Sequence, residues 1–314
     1  MANGFPAYTG QRNLWAFLHY LFDNQGAGSL IGANSENSLW VDPVNGNDNQ
    51  SGKSFGEPLA TITQTLTFAS AGGYIFLAPG QYDETVAIPR ALSNLTLIGY
   101  GGRGSAFIEP TTEDAAGMTV DADDVTLINV GVAGEDETSA VALTVTGSRF
   151  RAYGCKFEGG LTQILIGPGT VAQEDAGTKG RGGDSLFDDC EICWGTNGFV
   201  LQGTDFGGCT QIYIRNCRFH DLTAESVGEA VGSGGSAGVT FFGLNVKDCV
   251  FEEAEDGTQP TNWFDLDADN ANTGIVSNCQ FTVALAGTAK NVVSTSVIWT
   301  GNYHTGGLST GQPS

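Results

Sequence analysis

The chain has 314 residues and a formal net charge of -22, with 15% charged side chains, 40% apolar residues and 46 glycines. Such a surface repels nucleic acid and anionic membrane across a Debye length of ~8 Å, so neither is expected as a partner, and a polyuronate would need a bridging cation. Enough apolar residues are present for a continuous core, without a membrane span.

The first 38 residues differ from the rest. The stretch MANGFPAYTGQRN has neither a basic leader nor a secretory apolar core, so synthesis and folding in a host cytoplasm are expected, without signal-peptide export. Leu14, Phe17, Leu18 and Leu21 fall at i, i+3, i+4 and i+7, which predicts a short amphipathic helix before the glycine-rich stretch 24–32. A helix of about three turns is marginal alone in water. Its apolar face must pack on this chain or serve as an anchoring or oligomerisation element, and residues 1–38 are read as that segment.

From Leu39 the text reads as strand, polar loop, weak helix, strand, turn, strand. Leu59, Ile62, Leu66 and Ala69 are helically spaced in a threonine-rich stretch of poor propensity, so burial must hold that helix, and its expected job is to cap a solenoid end. The loop Asn45 to Asn49 is rich in oxygen atoms but lacks EF-hand spacing, and a hydrogen-bonded turn is expected there.

Eight segments then share one template, apolar-x-apolar-x-x-X-x-Z, with X at Tyr100, Val130, Cys155, Cys190, Cys217, Cys249, Cys279 and Asn302. The residue before X is Gly99, Asn129, Gly154, Asp189, Asn216, Asp248, Asn278 or Gly301, the three types that most readily accept a positive φ. Each segment is therefore a strand, a left-handed bend and a second strand, with both apolar pairs facing inward. Recurrence at 30, 25, 35, 27, 32, 30 and 23 residues means stacked coils. The main domain is read as 39–305, followed by a tail over 306–314.

Position X places Cys155, Cys190, Cys217, Cys249 and Cys279 in one interior row, expected as reduced structural thiols. Cys190 and Cys193 form a lone CxxC with no second pair and no histidine close in sequence, so no metal site is expected.

The opening stretch and the repeat resemble the right-handed single-stranded parallel β-helix of the pectin-lyase-like superfamily, an all-β fold, here of about eight coils. Within it the chain looks most like tailspikes and other virion surface proteins of tailed bacteriophages. The resemblance implies a homotrimer, attachment to other virion proteins through the N-terminal segment, and a place on the virion surface. The superfamily's enzyme signatures (NTD, GHG and RIK, GTVDFIFG, DPHE) do not occur.

The densest acidic group is WFDLDADN, Trp263 to Asn270. Strand alternation would put Phe264 inward and Asp265, Asp267 and Asp269 outside. The bland reading is a solvated outer face. The alternatives are a Ca2+ site, the only cofactor entertained, or a glycan site in which Trp263 stacks on a sugar and Asp265 and Asp267 act as acid and base. No other catalytic residues are assigned. Basic residues suggest charge ladders on the coil exterior, Arg151, Asp188, Arg215 and Lys247 in one row and Lys156, Glu191 and Arg218 in another. Three insertions, 167–184, 222–238 and 255–262, would crowd one lateral side as a contact surface. The functional expectation is a non-enzymatic structural protein of a tailed-phage virion, a spike, fibre or capsid decoration contacting host glycans. The alternatives are a tailspike polysaccharide depolymerase, lyase or hydrolase, and a glycan-binding adhesin.

Overall fold

A computed structural model describes residues 37–112, 115–135, 140–167, 183–201, 211–229, 242–253, 262–265, 273–282, 296–304 and 307–309. The predicted helix near Leu14 and Leu21, most of the three insertions, Asp267, Asp269 and the end of the tail lie outside them.

The chain winds into a right-handed parallel β-helix. One face stacks ten strands: Ser38–Val41, Tyr74–Leu77, Thr96–Gly99, Thr126–Ile128, Arg151–Tyr153, Leu186–Asp188, Tyr213–Arg215, Phe242–Lys247, Thr273–Ser277 and Val297–Thr300. All are parallel to their neighbours, and inward residues such as Leu97, Leu127, Ala152, Phe187, Ile214 and Val246 are completely buried in register. A second face continues beyond the bend through Gly80–Tyr82, Ala106–Ile108, Val130–Ala133, Lys156–Glu158, Glu191–Leu201, Arg218–Glu229, Val250–Phe251, Gln280–Phe281 and Asn302–His304.

The bends are as the repeat predicts from the second coil onward. Asn129, Gly154, Asp189, Asn216, Asp248, Asn278 and Gly301 have φ between 53° and 66°. Gly99 is the exception, lying in a strand without a positive φ, and its glycine answers a close approach instead: a Cβ there would sit 2.7 Å from the Asn129 carbonyl oxygen. The bend of that coil is replaced by the loop that carries Arg103.

Just past the bends, Cys155, Cys190, Cys217, Cys249 and Cys279 are buried and free of disulfides. Each thiol from Cys190 onward donates to the carbonyl two residues back across the bend, at 3.1 to 3.5 Å. Asn302 ends the row. Its Oδ1 accepts the Cys279 N–H at 2.9 Å and its Nδ2 donates to the Val276 carbonyl at 3.0 Å, so both ends of the buried amide are satisfied. Beside the thiols runs a column of phenyl rings, with Phe219 to Phe251 at 4.7 Å and 12° and Phe251 to Phe281 at 4.8 Å and 8°. Ring spacing thus equals the strand spacing of ~4.8 Å that stacks the coils.

A third face departs from the two-strand reading. Val86–Ile88, Met118–Val120, Val141–Val145 and Thr162–Ile166 pair in sequence, then join the far halves of Glu191–Leu201 and Arg218–Glu229 and end at Asn262–Asp265. Residues 222–229, assigned to a lateral loop from sequence, are therefore strand. Its short apolar runs lack a punctuating residue, which hides them among loops.

A helix covers the first coil, and a short strand covers one face of the last. Helix α1 (Ile62–Phe68) starts at Thr61, whose hydroxyl accepts from the Gln64 N–H, and the Glu84 carboxylate takes the Ile62 and Thr63 N–H groups at 2.6 and 2.8 Å. Those hydrogen bonds satisfy orphan donors of the first turn and complement the helix dipole. Ile62 is fully buried, with Leu66 and Ala69 against the core. The oxygens of the adjoining loop are spent on the backbone: Asp42 accepts from Val44 and Asn45, and Asp48 from Ala60 and Thr61. At the other end Gly307–Ser309 pairs antiparallel with Asn302–His304, covering that edge.

Candidate functional site

On the outer side of the first face a groove of about 410 Å³ is lined by Arg149, Arg151, Asp184, Leu186, Gln211, Tyr213 and Arg215. Arg151, Leu186 and Tyr213 are register neighbours on three successive coils, flanked by the row Tyr153, Asp188, Arg215 and Lys247. The charge ladder expected from sequence is present at Asp188, Arg215 and Lys247, but Arg151 lies two residues outside it: Arg151 aligns with Leu186, and Tyr153 occupies the place opposite Asp188. Arg215 does bond Asp188, at 2.9 Å. Arg149 holds Asp124 through two hydrogen bonds of 2.7 Å, and these keep the Asp124 carboxyl below its ordinary 3.8. Arg151 makes no ion pair among the described residues, although Asp124 feels its charge. A chain of charge -22 thus gathers three arginines in one groove.

Three lining residues, Arg149, Asp184 and Gln211, belong to a second column of left-handed residues that the repeat template does not contain. Asn94, Asp124, Arg149, Asp184 and Gln211 each precede a strand of the first face, with φ between 54° and 63°, and Gly243 takes φ 78° inside Phe242–Lys247. Asn, Asp and Gly suit that conformation, whereas Arg149 and Gln211 do not. Both unfavourable choices fall on the groove, where side-chain identity outweighs local backbone preference.

On the second face Glu158, Cys193 and His220 are register neighbours, and Lys156, Glu191 and Arg218 form the parallel row two residues earlier. These side chains point away from the core, because Phe157, Ile192 and Phe219 between them are fully buried inside. His220 sits between two carboxylates, with Nδ1 2.5 Å from Asp221 Oδ2 and Nε2 3.0 Å from Glu191 Oε1. Trp194 Nε1 also donates to Asp221 Oδ2, at 3.1 Å. Arg103 reaches in from its loop to Glu191 Oε2 at 3.3 Å and to the Asp189 carbonyl at 2.7 Å. Lys156 pairs with Glu158 along its own strand and lies 4.6 Å over the Trp194 ring.

The electrostatics follow from these contacts. The His220 hydrogen bond, helped by Arg103, pushes the Glu191 carboxyl down to about 2 against its burial. Burial alone would lower His220, but its bonds to Glu191 and Asp221 outweigh it and hold the imidazole above 6.5. Cys193 is pushed far up, first by burial and then by Glu158, Glu191 and Asp221, with Lys156 opposing. Ligand atoms of Glu191, Cys193 and His220 lie within 4.8 Å of one another. No histidine lies close to Cys193 in sequence, His220 being 27 residues away, but the coil register makes the two neighbours in space.

The residues singled out from sequence are placed differently. Trp263 is 1% exposed, its ring 6.0 Å from those of Phe251 and Phe281, so it is a core residue and offers no platform to a sugar. Phe264 is buried as expected. Asp265 ends the strand Asn262–Asp265, opposite Gly228. The groove itself went unread, since its arginines look ordinary until register brings them together.

Residues 44–149 match a family model described as a protein of unknown function, DUF1565. No curated protein matches the sequence. Among solved structures, the pectin methylesterase from carrot aligns at 12% identity over 85% of this chain and 82% of that one, with a TM-score of 0.55. A pectin methylesterase variant in complex with a hexasaccharide aligns at 17% identity over 88% and 91%, TM-score 0.53. The GH136 lacto-N-biosidase from Eubacterium ramulus aligns at 9% identity over 93% of this chain and 62% of that one, TM-score 0.58. These similarities make the chain a parallel β-helix whose structural neighbours include pectin methylesterases and a glycoside hydrolase.

Proposed function

We propose that this protein is a non-enzymatic, glycan-contacting β-helix of a tailed-phage virion surface, a rod whose first-face groove holds an acidic saccharide. One observation carries the glycan reading: Arg149, Arg151 and Arg215 converge with Tyr213 on a groove of about 410 Å³ in an otherwise acidic protein. Guanidinium groups match carboxylates in a planar fork, and a tyrosine ring offers an apolar face to a sugar. The requirement for a bridging cation drawn from net charge is set aside, because the nearby Asp124 and Asp188 are already paired to Arg149 and Arg215, and Arg151 is left to meet a ligand carboxylate at contact distance. Neighbours of this fold act on glycans by name, which supports the ligand class.

The virion setting rests on the resemblance to phage spikes and on a rod with buried free thiols and a helix over its first coil. A homotrimer attached through residues 1–38 completes this reading. Isothermal titration of acidic and neutral oligosaccharides tests the groove. Saturable binding of the acidic ones, weakened about tenfold by Arg151→Ala, the loss of one charge-assisted contact of about 1.5 kcal/mol, is the expected result. Release of new reducing ends or unsaturated products would favour the depolymerase instead, and equal binding of neutral and acidic sugars would refute the groove assignment. Light scattering and copy number on purified virions test the assembly.

A further inference from the structure

We propose that Glu191, Cys193 and His220 form a Zn2+ site on the outside of the second face, clamping two successive coils. The donor set is a carboxylate oxygen, a thiolate and an imidazole nitrogen, the three classes that zinc takes in proteins. Their ligand atoms lie within 4.8 Å of one another. A tetrahedral ion with bonds of ~2.0 to 2.3 Å needs donor separations of roughly 3.3 to 3.8 Å. The Glu191 Oε1 to His220 Nε2 distance of 3.0 Å would therefore open by a few tenths of an ångström as the ion replaces their hydrogen bond.

The surroundings orient each donor. Asp221 accepts the Nδ1 proton of His220, so that once the Nε2 proton now shared with Glu191 is lost the Nε2 lone pair faces the site. That carboxylate–histidine arrangement is how proteins position an imidazole for a metal. Trp194 in turn holds Asp221, and does so from a left-handed backbone, φ 52°, at the bend where the neighbouring coils have Gly159 and Asp221. Arg103 occupies Glu191 Oε2, and Oε1 faces His220 Nε2 at 3.0 Å with Arg218 Nη1 4.0 Å away, so Oε1 is the atom the ion would take over. Cys193 is also unlike the five ladder cysteines. It lies on the outer side of the strand, fully covered, with Glu158 Oε2 3.8 Å from its sulfur.

Binding releases two protons. The Cys193 S–H bond and the His220 Nε2–H bond to Glu191 both break, both protons go to solvent, and sulfur, the Glu191 carboxylate and the now neutral His220 bond the ion, with water in the fourth position. Two ligands come from Glu191–Leu201 and one from Arg218–Glu229, so the ion ties one coil to the next.

The test is a Co2+ titration of the reduced full-length protein, followed by Zn2+ displacement. A thiolate-to-cobalt charge-transfer band saturating at one equivalent, lost on adding Zn2+, is expected. Cys193→Ser should abolish the band, whereas Cys217→Ser, in the interior row, should keep it. Asp221→Asn should weaken binding by about 10–100-fold. Should Cys193→Ser fail to fold, His220→Gln serves in its place, since three-donor capture should fail there also. Absence of the band in the native protein, or its survival in both Cys193→Ser and His220→Gln, would overturn the proposal.

Discussion

Removing one ring from the phenyl column tests the stacked-coil core most directly. Phe251 lies between Phe219 and Phe281 with centroids at 4.7 and 4.8 Å, and Trp263 and Phe264 close the sides at 6.0 and 5.3 Å. Phe251→Ala deletes a fully buried side chain walled by these four rings, whose strands neighbouring coils hold at fixed spacing, so that the space closes only in part. A buried Phe→Ala change costs about 3–5 kcal/mol, and two stacked pairs worth about 0.5–1.5 kcal/mol each place this one in the upper half of that range. Phe251→Leu keeps most of the volume and should cost less than about 1.5 kcal/mol. Urea unfolding monitored by tryptophan fluorescence reads both, because Trp263 and Trp299 lie beside the column. The double variant Phe251→Ala/Phe281→Ala should fall short of additivity by roughly 0.5–3 kcal/mol, the second ring having already lost its partner. A loss under about 1.5 kcal/mol for Phe251→Ala, or strict additivity of the pair, would show that the rings do not form a continuous packed column.

Two further outcomes follow from single residues. Asn302→Ala strands the buried Cys279 N–H and Val276 carbonyl and should cost about 2–4 kcal/mol in the same unfolding assay, whereas a cost below about 1 kcal/mol would mean that other groups satisfy them. Asp124, held below its ordinary 3.8 by Arg149, contributes stability that is present above that unfolded value and fades as pH falls through the lower folded one. An NMR titration should place its midpoint under 3.8 in the native protein and raise it in Arg149→Ala, and an unchanged midpoint would sever the link.

What could be read in advance and what could not divides by range. Bends at Asn129, Asp189, Asn216, Asp248 and Asn278, the inward thiols and the capping helix near Ile62 are consequences of residue type over fewer than ten positions. Backbone preference and alternation are local, so they survive in a bare sequence. Gly99 misled because the same residue serves close approach as readily as a left-handed bend. Arg151 misled because outward positions recur every second residue: it lies two residues before Tyr153, the position aligned with Asp188, and so belongs to the neighbouring exterior row. Trp263 looked like a sugar platform beside three aspartates, yet an indole has more to gain from burial against Phe251 and Phe281 than from a solvated face. The groove at Arg149, Arg151 and Arg215 and the pairing of Cys193 with His220 belong wholly to tertiary structure. Each joins residues a coil or more apart, and only the hydrogen-bonded register between coils decides which of them become neighbours.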